Sequence, residues 1–433
     1  MTWSVDDLKT WDDKIIEVAK GYGLDWFPIS YEVCDYYSMI GHMSYHGMPT
    51  HYDHWSYGKS FERTHQAYNA GVEGLPYELI INSNPSIAYL MRENPLYLQI
   101  LIMAHCVGHS DFFKNNRMFA NTRPESVIGR FRQAKKRIQE YVEDPYIGIE
   151  KVEEVIDGCH ALQYQIHRDG TQRKNHKEMV EYYKGLIDYD PAGNQLFYDL
   201  DQPPLEPDPD LMGFIAEHGK MPDWKRDIIE IVRDEAYYFM PQIQTKIMNE
   251  GWASLWHYTI CHDLNLPDEY HLPFLRMHNA VIRPHMGGLN PYHLGFVIFQ
   301  NIKEKHGLEE CFIARESCND IAFIRQYLTQ ELCEDLGLFS WSEKKEAFTV
   351  DEISDDDGWK KVRTHMCESI ADAKIPVIKV EEVESDGTLV LRHEHDKRDL
   401  ELDYADKTVD HTKCLWGNNV ILHTIIEGEP WEI

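Results

Sequence analysis

The chain of 433 residues has nine cysteines and no CxxC pair. The closest two, Cys311 and Cys318, stand seven apart, which is not a zinc-finger spacing. An odd count, behind an N-terminus with early acids and no apolar signal core, predicts reduced thiols and a cytoplasmic protein. No stretch approaches the ~20 apolar residues that span a bilayer. Positive charge is scarce as well. Against 73 acidic residues stand 43 basic ones, for a formal net charge of −30. Such a surface repels phosphate backbones and anionic membranes, so neither nucleic acid nor membrane is an expected partner. GxSxG, GxxxxGK[ST] and GxGxxG motifs are also missing. Nucleophile-elbow hydrolases, P-loop enzymes and dinucleotide-binding folds therefore have no support.

What is present is apolar and patterned. With 43% hydrophobic and 12% aromatic residues, the chain can bury at least one large core, and its length suggests two or three domains. It shows no internal repeat. Residues 1–345 read as mainly helical. MTWSVDDLKTWDDKIIEVAKGYGLDWF has the pattern of an amphipathic helix. Asn94-Pro95 offers an N-cap and a first-turn proline ahead of a buried helix, LYLQILIMAHCVGHSDFF. Further helices are predicted over ESVIGRFRQAKKRIQEYVEDP, IGIEKVEEVIDGCHALQYQIH and DWKRDIIEIVRDEAYYF. Pro241 should break or kink the chain there, before a helix over QIQTKIMNEGWASLWHYTICHDL. Segment 168–222, rich in Asp, Pro and Gly, reads as a surface excursion or partly ordered insert. The acidic run 351–358 looks like a linker. Beyond it PVIKVEEV, TLVLRHEH, LELDYAD and NVILHTII alternate or are β-branched, with SDG and GNN as turns. This predicts a small α/β domain over 350–433.

Four constellations could carry chemistry. His105 and His109 stand at i and i+4, stacked about 6 Å apart on one helix face. That is how HExxH peptidases present two imidazoles to zinc. Here Cys106 replaces the glutamate, and a thiol cannot simply take over its proton. The alternative is two packed histidines bonded to neighbours. Second, Glu250 sits beside Gly251 in KIMNEGWASLWH. A mid-helix glycine costs about 1 kcal/mol against alanine, and is kept where a backbone or a metal site comes close. Glu250 resembles the third ligand of helical zinc peptidases; the alternative is a buried carboxylate paired with Lys or Arg. His257 lies about 10 Å further along the axis and is expected to support the site rather than ligate the same ion. Third, Glu154, Asp157 and His160 are spaced by three and neighbour one another on a helix. They could orient ligands, bind iron or manganese, or form an ordinary solvated face. Fourth, His42, His46, His51 and His54 crowd with aromatics in 41–61, as pocket lining or as an inert loop.

These segments together resemble the stage V sporulation protein R family, SpoVR. The resemblance rests on GMPTHYDHWSYGKSF, YELIINSNPSIAYLMREN, AHCVGHSDFFKNN, EEVIDGCHAL, TKIMNEGWASLWH, NPYHLGF and RQYLTQEL. LRHEHDKRDLELDYADKTV and LWGNNVILHT extend it to the C-terminus. Tyr57 stands where phenylalanine is usual. The resemblance implies a role in spore cortex formation. In bacteria that form no spores it implies a stress or stationary-phase role beside a serine kinase and a von Willebrand-type protein. The expectation is then a mainly α protein: a large helical zinc-peptidase-like domain followed by the small α/β domain. His105, His109 and Glu250 would bind one divalent ion, zinc first, with iron or manganese as alternatives. Glu154, Asp157, His160 and His257 would orient the ligands or transfer protons for amide hydrolysis. Two other outcomes stay open: a non-catalytic interaction protein, and a two-metal bundle using the same carboxylates.

Overall fold

A computed structural model describes residues 3–70, 78–169, 171, 173–186, 203–284, 288–344 and 347–433. The protein is mainly helical with a small sheet-containing C-terminal region. No helix among the described residues is long and apolar enough to cross a membrane. The chain forms two compact units, each made of two stretches. One is Met1–Lys135 with Pro241–Lys374, the other Lys136–Met240 with Ile375–Ile433. The units thus change over at 135/136, 240/241 and 374/375, whereas the sequence pattern changes at 345–350.

The first unit is built around a helix over Leu96–Asn115, called here the histidine helix. All residues from Leu98 to Phe113 on it are buried. Each leucine or isoleucine so buried contributes roughly 1.5–3 kcal/mol. The N-cap position is Pro95, without a side-chain cap. Asn94 is not the cap; its carbonyl accepts from Trp3 Nε1 at 2.7 Å. The predicted N-terminal helix runs over Val5–Gly21, started by a capping box between Ser4 and Asp7. Beside the histidine helix lies a three-stranded sheet. Its central strand Ser86–Met91 pairs parallel with Ile29–Cys34 and antiparallel with Glu78–Ile81. This places Glu78 opposite Leu90.

The helix starting at Asp223 does not break at Pro241 but continues to Gln244. The Pro241 carbonyl is taken up by Thr245 Oγ1 at 2.6 Å. The next helix, Lys246–Asp263, is called the glutamate helix. It packs against the helix Pro291–His306, backbone against backbone where Gly251 meets Gly295. A Cβ on Gly251 would lie 2.3 Å from Gly295 C. Gly108 does the same on the other side, where a Cβ would meet Ala253 Cα at 2.7 Å. The glycine beside Glu250 is therefore explained by helix approach. The stretch read as a linker finishes the strand Ala347–Ile353 and then turns, with Asp355 Oδ1 accepting from the Gly358 amide at 2.8 Å.

In the second unit a four-stranded sheet has the order Ile378–Val383, Leu389–His393, Val420–Ile426, Glu429–Glu432. Only the middle pair is parallel, and a helix over Leu402–Trp416 makes that connection. Three of the four predicted strands are present. LELDYAD is instead the start of the helix, because Glu401 accepts from the Tyr404 amide and caps it. Of the expected excursion 168–222, residues 170, 172 and 187–202 lie outside the described residues. The rest includes helices His176–Leu186 and Leu211–His218. Leu211–Ala216 is buried rather than at the surface, capped by Asp210, whose carboxylate Arg233 and Tyr237 hold.

Candidate metal centre

Polar groups on so buried a helix must find partners or cost stability. Ser110 Oγ donates to the Phe27 carbonyl at 3.0 Å. Asp111 accepts from Trp252 Nε1 at 2.9 Å and from the Asp25 amide at 2.8 Å. His109 Nδ1 lies 2.8 Å from Asn249 Oδ1, and His105 Nδ1 lies 2.8 Å from His257 Nδ1. Each imidazole thus spends one nitrogen on a fixed partner and turns Nε2 the other way.

The two Nε2 atoms face carboxylates. Glu250 Oε2 is 3.4 Å from His109 Nε2 and 3.7 Å from His105 Nε2. Glu78 Oε1, from the sheet, is 3.6 Å from His105 Nε2. Two atoms bound tetrahedrally at about 2.1 Å to one ion are about 3.4 Å apart. The observed spacings match that figure and are long for direct hydrogen bonds. His105 Nε2 and Glu250 Oε2 are both buried with no hydrogen-bond partner. Ligand atoms of Glu78, His105 and His109 lie within 4.8 Å of one another. Two buried acceptor-bearing groups without donors, beside a second carboxylate, fit a divalent cation.

The charged groups of the centre also perturb one another. Burial would raise the Glu250 carboxyl, yet His105 and His109 reverse this and hold it well below the usual carboxylate range. Burial would lower His109, but the Glu250 carboxylate, with Asn249 and Glu78, keeps it above the ordinary imidazole value. Tyr292, in the first turn of Pro291–His306, has its ring 6.1 Å from that of His105. Burial and the two glutamates raise its hydroxyl, so it stays protonated. Cys106 is buried; desolvation and the charges of Glu78 and Asp12 keep its thiol protonated too.

His105, His109 and Glu250 therefore converge, and His257 touches His105 from outside. Glu154, Asp157 and His160 lie on the helix Ile149–Leu162 in the second unit. There Glu154 is exposed, while Asp157 and His160 are half-buried. Of the 41–61 histidines, His42 stacks on Tyr89 at 3.9 Å, and His54 caps the helix Trp55–Asn69. His51 Nε2 is 3.3 Å from Tyr57 OH. Sequence reasoning missed Glu78, Tyr292, Asn249 and His278. No local spacing marks any of them.

The first unit thus defines a helical protein with a buried centre of two histidines and two carboxylates. A family model described as SpoVR like protein matches residues 2–375, and one described as SpoVR-like C-terminal domain matches 374–427. The chain belongs to the SpoVR family. It is also 34% identical over 478 residues to "Uncharacterized protein YcgB" of Escherichia coli (strain K12), covering 97% of this chain and 92% of that one. No solved structure matches.

Proposed function

We propose that this protein is a metal-dependent hydrolase that cleaves an amide bond at the Glu78–His105–His109–Glu250 centre. One observation carries the reading. His105 Nε2 and Glu250 Oε2, from separate helices, are buried 3.7 Å apart and neither has a hydrogen-bond partner. Zinc suits two imidazoles and a carboxylate; iron or manganese are the alternatives. When bound, the ion supplies water activated near neutral pH and a Lewis acid for the carbonyl. His105, His109 and Glu250 hold it. Glu78 stands where a proton released from water can be accepted, in place of the carboxylate that Cys106 displaces. Glu154, Asp157 and His160 have no part in this reading, and His257 keeps His105 in position. Membership of the SpoVR family supports a sporulation-associated role. By resemblance the setting is cortex formation or a stationary-phase stress programme, in the cytoplasm, beside a serine kinase and a von Willebrand-type protein.

Elemental analysis of the purified protein beside a His105→Ala/His109→Ala variant tests this. About one equivalent of zinc is expected in the first and none in the second. Equal metal content in both sinks the reading.

A second reading has an observation in its favour. His105 and His109 are 2% and 5% exposed, and four protein donors would close a tetrahedron, as in structural sites. The protein would then be a non-catalytic scaffold. Glu78→Gln separates the two: a hydrolase should keep its metal and lose function in complementation, whereas a structural site should lose metal and fold stability together.

A further inference from the structure

Within the first unit, the hairpin of Phe339–Lys344 and Ala347–Ile353 leaves apolar side chains in water. Phe339 is 53% exposed, Val350 54%, Ile353 58%, and nearby Leu289 41%. Two cavities of about 650 and 660 Å³ both have Gly337, Leu338, Phe339 and Val350 in their walls, so they are halves of one groove. Val362, Met366 and Ile370 line the inner half. Single exposed apolar residues are ordinary, but several around one continuous groove mark a contact surface.

The charged side chains in the groove wall are acidic, with Lys361 beside them close enough to act on Asp355. Glu334, Asp355 and Asp356 line the outer half, and no lysine or arginine lines either half among the described residues. The hydrogen bonds of the two aspartates go to neutral donors, the Gly358 amide and the Gln330 side chain. His293 and His365 face the inner half.

The geometry points to a protein-docking groove whose occupant is a partner segment with apolar side chains flanked by lysine or arginine. Burial of the apolar residues supplies the affinity, and the acidic rim sets orientation and turns away acidic competitors. The same rim repels anionic membranes and nucleic acids, which leaves a protein as the occupant. This surface is independent of the metal centre and stands whether or not that centre is catalytic.

The test uses the full chain and a synthetic amphipathic peptide of leucine and lysine, beside its leucine–glutamate counterpart. Calorimetric titration gives affinity, and backbone hydrogen exchange gives the site. The lysine peptide should bind, with protection confined to 334–339 and 350–370, and the glutamate peptide should not. Phe339→Ser/Ile353→Ser should weaken binding at least tenfold with circular dichroism unchanged. Asp355→Asn/Asp356→Asn, which leaves the apolar wall intact, should reduce the salt dependence of binding. Equal binding of both peptides, protection elsewhere, or undiminished binding by the serine variant overturns the proposal. Concentration-dependent self-association abolished by Phe339→Ser would make a second copy the occupant, and overturns it too.

Discussion

His105 Nδ1 lies 2.8 Å from His257 Nδ1, although 152 positions separate the two in the chain. His257 Nε2 in turn lies 2.7 Å from His278 Nδ1. For His105 to offer its Nε2 lone pair to an ion, its Nδ1 must carry the proton and His257 Nδ1 must accept it. His257 then has its proton on Nε2 and donates to His278. One chain of bonds selects one tautomer for each ring. Burial and the neighbouring imidazoles push His278 down to about 4 and hold His257 well below its ordinary value, so both stay neutral and able to do this. His257→Phe should weaken metal binding about 10–100-fold, measured by competition with a chromophoric chelator. His257→Gln keeps an acceptor oxygen and should recover most of the loss. An unchanged affinity in the phenylalanine variant would show that the relay does not set the ligand.

The two carboxylates should separate by experiment. Glu250 Oε2 contacts both Nε2 atoms at 3.4 and 3.7 Å, whereas Glu78 Oε1 is paired with His105 alone at 3.6 Å. Glu250→Gln should therefore empty the site, seen as loss of metal through gel filtration. Glu78→Gln should keep most of the metal and lose function in complementation. The reverse pattern would exchange their roles.

How much of this was legible follows from the range over which each feature is determined. The histidine pair could be read because i,i+4 adjacency is local. Gly251 pointed to a close approach, and the helix Pro291–His306 is what approaches. Glu78, Tyr292 and His278 meet the pair only through strand register and helix packing, which no spacing encodes. Glu154, Asp157 and His160 have ligand spacing, yet spacing cannot say which unit a helix joins. LELDYAD alternates like a strand, and a capping glutamate made it a helix. Pro241 does not end its helix, which runs on to Gln244, and nothing in the sequence marks that continuation.

Asp320 gives a pH prediction. It is 1% exposed and caps the glutamate helix from outside, with Oδ2 accepting from the Ile247 amide at 2.8 Å and Oδ1 from the Met248 amide at 2.9 Å. Thr245, at the N-cap, provides no side-chain cap of its own. Burial raises the Asp320 carboxyl from 3.8 to about 7, against the pull of the two amides. The folded state therefore holds the proton more tightly than the unfolded state between those values. The contribution of this group to stability is highest below about pH 4 and falls as pH rises toward 7. Asp320→Asn cannot titrate and loses one acceptor, at a cost of about 1 kcal/mol. In urea unfolding the wild type should be the more stable near pH 5, and its advantage should shrink or invert by pH 8. A difference constant across that range would mean that Asp320 does not titrate there.

The glycine contact predicts opposite signs for one substitution at two places. A Cβ on Gly295 would lie 2.1 Å from the Ile247 carbonyl oxygen and 2.7 Å from Gly251 Cα. Both obstacles are backbone, so no rotamer change relieves the clash, and the helices must part. Gly295→Ala should destabilise by roughly 1–3 kcal/mol or more. It should also weaken metal binding, because Glu250 lies between Ile247 and Gly251, the two residues that this Cβ would strike. Gly129, in the helix Val127–Glu143, has open space where a Cβ would go. Gly129→Ala should stabilise by about 0.5–1 kcal/mol through helix propensity alone and leave metal affinity unchanged. Urea unfolding and chelator competition on the two variants read both effects. A Gly295→Ala protein as stable as the Gly129→Ala one would show that the two helices do not approach so closely, and Glu250 would lose the packing that holds it at the centre.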